Sequence, residues 1–214
     1  MRTAYSLFLT GALISAVVGL GSSRGLAGEK QDPTEKPPAA SVPKVGDKAA
    51  DHTLDDVDGK PVRFSEQLKA GPLVVVVLRG WPGYQCPFCT KQVADLLAHA
   101  KEFDAAGARV MLVYPGSADG LQAHAAEFRK GREFPAHFRL LVDPDYRFAA
   151  AHGLRWDAPN ETVYPATFVL DRQGVVRFAR VSHEHGGRVA AKEILRVLSS
   201  LDGQKGEAGT RGSP

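Results

Sequence analysis

The sequence predicts an α/β domain, a central mixed β-sheet flanked by helices and preceded by an N-terminal hairpin. Three observations carry this. Short apolar runs, at Leu73 to Leu78, Arg109 to Tyr114 and Phe138 to Val142, alternate with segments of helical period. Glycines 107, 131 and 153 stand where those helical segments end. A last pair of strand-like runs, Thr162 to Leu170 and Val175 to Val181, is joined by Asp171-Arg172-Gln173-Gly174, a turn with glycine in its last position. A β-α-β-α-β run followed by a hairpin and a helix implies a parallel core with an antiparallel edge.

Taken in order, Thr53-Leu54 and Val62 to Phe64 are short strands around the turn Asp55 to Lys60. Ser65 is placed to cap a helical turn. Residues 72–79 form the apolar strand. Thr90 to Ala106 reads as one helix, with Val93, Leu96, Leu97 and Phe103 at helical spacing. The strand 109–114 leads into a Pro115-Gly116-Ser117 loop. Leu121 to Lys130 is the next helix, 138–142 a strand and Asp145 to His152 a short helix. Val189 to Leu201 closes the domain, with Ala190, Ile194, Val197, Leu198 and Leu201 on one face.

The ends differ in character. Residues 1–27 read as a signal peptide: Arg2, an uncharged stretch from Leu7 to Leu20, and small residues around Gly25-Leu26-Ala27. Export to a periplasmic or extracellular space follows, with an uncleaved N-terminal anchor as the weaker alternative. Residues 28–44, rich in proline and charge, read as a disordered tether, 45–201 as the folded domain and 202–214 as a disordered polar tail. The chain has 27 Lys+Arg against 24 Asp+Glu, a net +3; without Arg2 and Arg24 the balance is +1. That is no footprint for nucleic acid.

Chemistry concentrates in Leu73 to Val93, LVVVVLRGWPGYQCPFCTKQV, which holds the chain's only two cysteines, Cys86 and Cys89. A loop this small removes little unfolded-chain entropy, so a structural disulfide explains the pair poorly. A strand, a turn and a helix whose first turn carries Cys-Pro-Phe-Cys is instead a redox layout. The unpaired N–H groups and positive dipole end of a helix favour a thiolate at Cys86. Pro87 suits the first helical position, and Cys89 lies one turn on, within reach of Cys86. Sites in such sheets sit beyond the carboxyl ends of the strands, where Cys86 falls.

These features resemble the thioredoxin-like superfamily, and within it the redoxin branch that includes the alkyl hydroperoxide reductase and thiol-specific antioxidant (peroxiredoxin) proteins. The matching stretches are Val45 to Asp51, Asp58 to Val62, Asp143-Pro144-Asp145 before its short helix (a redoxin-type insertion) and Tyr164 to Asp171. The resemblance implies a thioredoxin-like fold and a cis Pro165 beside the cysteine pair, with the backbone of Tyr164 presented to a substrate chain. It also implies, for a peroxidase, a proline and a hydroxyl residue seven and three places before the peroxidatic cysteine. Counted from Cys86 these positions hold Arg79 and Gly83. The arginine that the family carries in the strand of Pro165 falls on Pro165 itself.

Three readings follow. The one favoured by those departures is thiol–disulfide exchange: Cys86 attacks as thiolate, Cys89 resolves, and a protein dithiol or disulfide is the partner. Arg79 is then the nearby cation, and Trp81, Tyr84 and Tyr164 wall a substrate groove. The second is a thiol peroxidase with Cys86 peroxidatic and a hydroperoxide as substrate. The third, non-enzymatic, is a metal site of the two cysteines with His183 and His185. The first two readings need no cofactor. Trp156 reads as a loop cover, and His99 and His124 as solvated helix residues.

Overall fold

The computed structural model describes residues 40–208. The signal peptide, residues 28–39 of the tether and the last six residues lie outside this range. Among the described residues no helix is long and apolar enough to cross a membrane.

The described residues form seven strands and six helices: β1 Thr53–Asp55, β2 Pro61–Arg63, α1 Phe64–Ala70, β3 Leu73–Val77, α2 Pro87–Ala98, α3 Ala100–Ala105, β4 Arg109–Gly116, α4 Leu121–Arg129, β5 Phe138–Pro144, α5 Arg147–Ala151, β6 Ala166–Leu170, β7 Val176–Val181 and α6 Ala191–Ala208. β1 and β2 pair as an antiparallel hairpin. The main sheet has the order β5-β4-β3-β6-β7, with β3, β4 and β5 parallel and β6 and β7 antiparallel. This is the mixed sheet the sequence predicts.

The period of two along the strands divides the core. Val74, Val76 and Leu78, with Val110, Leu112 and Tyr114, face Val93, Leu96, Phe103, Phe128 and Ile194 on α2, α3, α4 and α6. Leu73, Val75 and Val77, with Met111 and Val113, face Phe64, Phe148, Phe168 and the N-terminal hairpin. Both cysteines belong to the first of these layers.

Four local expectations are revised. The single helix over 90–106 is two, because His99 leaves the helical region (φ −106°, ψ 19°) and its ring Nδ1 turns back to the Asp95 carbonyl at 2.9 Å. Ser65 does not cap α1: Arg63 occupies the cap, and the distant Asp51 carboxylate accepts from both the Ser65 N–H (2.9 Å) and its hydroxyl (2.8 Å). The final helix starts two residues late, at Ala191, and continues through residues 202–208 that read as tail. Val42, assigned to the tether, packs against the second core layer.

Candidate active site

The site is built where β3 ends at the centre of the sheet. The chain stays on β4 for four residues beyond β3, through hydrogen bonds from Leu78 N to Val113 O (2.9 Å) and from Trp81 N to Pro115 O (3.0 Å). Gly80 makes this possible: its φ is +74°, and a β-carbon there would lie 1.8 Å from the Pro115 carbonyl oxygen. Gln85 anchors the far end of the loop, accepting from the buried Tyr114 hydroxyl (2.9 Å) and donating to the His124 carbonyl (2.9 Å).

Cys86 is the N-cap of α2 and Pro87 its first helical residue. No acid stands in the first turn, so no like charge there opposes a thiolate. Both cysteines are buried, at 1% and 0% exposure, and unlinked. The Cys89 thiol donating to Cys86, the N–H groups of Cys89 and Phe88 and the charge of Arg188 together outweigh burial, and hold the Cys86 pKa down to about 5. Burial, reinforced by donation to Cys86, pushes the Cys89 thiol well above its ordinary range. One sulfur is thus an anion at neutral pH and its neighbour a proton donor to it.

The cation beside the sulfurs is Arg188, from the segment between β7 and α6. Its Nη2 lies 3.9 Å from Cys86 Sγ and its Nη1 3.6 Å from Cys89 Sγ. Arg79, the cation expected from the sequence, is committed elsewhere. Its buried guanidinium donates to Glu161 Oε2 (3.0 Å), the Tyr84 hydroxyl (2.7 Å) and the Asn160 carbonyl (2.7 Å). Glu161 in turn accepts from, or pairs with, His185 at 2.9 Å. Arg79 therefore braces the loop, and its positive charge is matched by Glu161.

The groove residues divide. Trp81 stacks on His124, with centroids 3.7 Å apart, and covers the first core layer rather than lining a groove. Tyr84 is exposed and tied to Arg79. Tyr164 stacks on Trp156 at 4.8 Å, and its N–H is already bonded to the Leu154 carbonyl (2.8 Å), so that group is not offered to a substrate chain. Pro165 lines a narrow cleft with Gln92 and Arg188. The cysteine–histidine metal site does not assemble: among the described residues no three potential ligands converge. His183 meets the edge of Tyr164 and His185 meets Glu161.

The family model described as the AhpC/TSA family matches residues 45–179. The chain belongs to the AhpC/TSA family. It is 31% identical over 156 residues to the chloroplastic peroxiredoxin Q of Oryza sativa subsp. japonica, covering 73% of this chain and 67% of that one. With the chloroplastic peroxiredoxin Q of Sedum lineare it shares 32% identity over 149 residues, 70% and 74% of the two chains. Among solved structures it resembles the peroxidoxin BcpB of Mycobacterium tuberculosis, with TM-score 0.61, 29% identity and coverage of 74% and 98%. A peroxiredoxin-like protein of Aquifex aeolicus shares the fold at TM-score 0.61 and 18% identity, over 76% and 90% of the two chains.

This AhpC/TSA protein is a thiol-dependent oxidoreductase with a thioredoxin-like fold. Membership also exposes a spacing missed when counting from Cys86. Counted from Cys89, the family's two positions hold Pro82 and Cys86. Cys86 then stands at the hydroxyl position of the pattern that the resemblance implies, whereas counting from Cys86 puts Arg79 and Gly83 on the two positions. Arg188 and Gln92 were missed as well. Only the glycine pair Gly186-Gly187, letting the chain turn in ahead of the final helix, hinted at the first.

Proposed function

We propose that this protein is a peroxiredoxin-like thiol peroxidase that reduces hydroperoxides and closes a Cys86–Cys89 disulfide as it does so. The carrying observation is the buried Cys86 thiolate beside a guanidinium, in a chain of the AhpC/TSA family. The preference for exchange as the main activity gives way: Arg188 supplies the cation that exchange was favoured for lacking, and counting from Cys89 recovers the family's proline at Pro82, with Cys86 in place of the hydroxyl.

Cys86 attacks the peroxide as thiolate, an S–O bond replaces the O–O bond, and the alcohol departs with a proton. Cys89 displaces hydroxide from the sulfenic acid, giving the disulfide and water. Exchange survives as the recycling step, in which a protein dithiol reduces the pair. The spacing from Cys89 favours a second assignment with the sulfur roles reversed. Trapping with dimedone separates the two: Cys89→Ser accumulates sulfenic acid under the first, Cys86→Ser under the second. Peroxide consumption with a dithiol donor should fall to background in the double variant; unchanged consumption there would reject the peroxidase. Export belongs to the proposal too, supported by the composition of residues 1–27. Intact mass of the mature protein tests it.

A further inference from the structure

We infer that Arg188 is a catalytic cation shared by both sulfurs, serving the oxidation and the reduction halves of the cycle, and that Gln92 is the residue that positions it.

The geometry is that of one planar group read by two atoms. Nη2 faces Cys86 Sγ and Nη1 faces Cys89 Sγ, at 3.9 and 3.6 Å. An ammonium would offer both sulfurs one rotatable nitrogen, whereas the guanidinium holds a separate nitrogen against each. The guanidinium is also free to act. Among the described residues no carboxylate lies within ion-pair distance of Arg188, whereas Arg79 is neutralised by Glu161 at 3.0 Å.

Its aim is set by neutral groups. Nη1 donates to Gln92 Oε1 (3.0 Å) and Nε to the His185 carbonyl (3.1 Å). The Gln92 amide donates back to the carbonyl of Val189, the residue after Arg188, at 3.5 Å. Gln92 is 6% exposed and lies one helical turn beyond Cys89, on the same face of α2. A buried glutamine is costly unless bonded, and here its bonds are spent on Arg188 and its neighbour. A neutral holder fixes the fork without cancelling its charge.

The chemistry needs such a fork because negative charge changes places. In the oxidation half, which rests on the thiol-peroxidase reading, the charge begins on the attacking thiolate and leaves on the oxygen of the alcohol, protonated by water. The second sulfur, deprotonated, then displaces hydroxide, so the sum is hydroperoxide plus two thiols to alcohol, water and disulfide. In the reduction half an external dithiol attacks one sulfur, the S–S bond breaks, and the other sulfur leaves as thiolate. The donor's second thiol completes its own disulfide. In each half a sulfur anion forms or is consumed against Arg188, whichever of the two it is.

Arg188→Met and Gln92→Leu test this with three readouts: the pH midpoint of Cys86 alkylation in the reduced protein, the rate constant with hydrogen peroxide, and the rate constant for reduction of the oxidised protein by dithiothreitol. The expectation for Arg188→Met is a higher midpoint and a loss of about tenfold to a hundredfold in both rate constants. Gln92→Leu should shift all three in the same direction by less. A role confined to folding would lower thermal stability and leave the midpoint in place, overturning the inference. So would an altered midpoint with an unaltered dithiothreitol rate, which would confine Arg188 to one sulfur. If the native protein consumes no peroxide while Arg188→Met still moves the midpoint and slows dithiothreitol, the peroxidase reading fails and the shared cation stands.

Discussion

Cys86 owes its reactivity to position more than to identity. The Cys89 thiol supplies a proton, the helix start N–H donors and Arg188 a charge, and together they hold its pKa down to about 5. Alkylation of the reduced protein should therefore reach half its plateau near pH 5; an ordinary thiol would do so near about 8.5. The same shift makes a stability prediction. The folded-state pKa lies below the unfolded one, so the thiolate's contribution is complete above the unfolded value and is lost as pH falls toward the folded one. The urea midpoint of the reduced protein should exceed that of Cys86→Ser at pH 9, with the gap closing toward pH 5 in denaturation curves. At this scale the lowered thiol pKa is legible in Cys-Pro-Phe-Cys itself, because it depends first on the neighbouring Cys89 thiol and then on the helix start. Arg188 was not, because the two sulfurs and their cation are about a hundred residues apart in the chain and meet only through the fold.

At the scale of elements, local pattern set the strands well and the helix ends less well. The run Leu73 to Leu78 reads directly as a strand buried on both faces, and so it is. The ends depended on distant partners. α1 is held by Asp51, twelve residues before Arg63, and α5 by Asp143, whose carboxylate accepts from the Phe148 N–H (2.7 Å) and the Ala149 N–H (3.0 Å). Asp143 is fully buried, so its loss also empties space in the fold. Asp143→Ala should cost about 1–2 kcal/mol in chemical denaturation, the upper range for a lost cap. The break at His99 was hidden for a related reason. The apolar spacing continues across it, while the ring's bond to the Asp95 carbonyl does not show in any periodicity.

Across the whole molecule, the sheet separates the chemistry from a second, quieter titration. On the face away from the cysteines, His52 and His152 lie 4.8 Å apart among Phe64, Phe148 and Phe168. Burial pushes both pKa values down, that of His52 to about 4, with the neighbouring His152 adding to its shift. The unfolded chain binds these protons more readily than the folded one. Their contribution to stability is thus complete above the unfolded value of about 6.5 and lost as pH falls toward the folded values. Thermal melts should show Tm falling between pH 7 and pH 4, and His52→Phe should flatten that fall. The order of the sheet, with β3 at its centre, also places the two cysteines at the end of the most buried strand, within one short loop of the strand's last residue. Under the proposed function that placement makes them the reaction centre, and it is most directly tested by mass spectrometry of the reduced protein mixed with one equivalent of hydrogen peroxide. The account predicts rapid loss of two hydrogens, with a single Cys86–Cys89 disulfide and the peroxide consumed. A protein that stays fully reduced while its peroxide persists would contradict it.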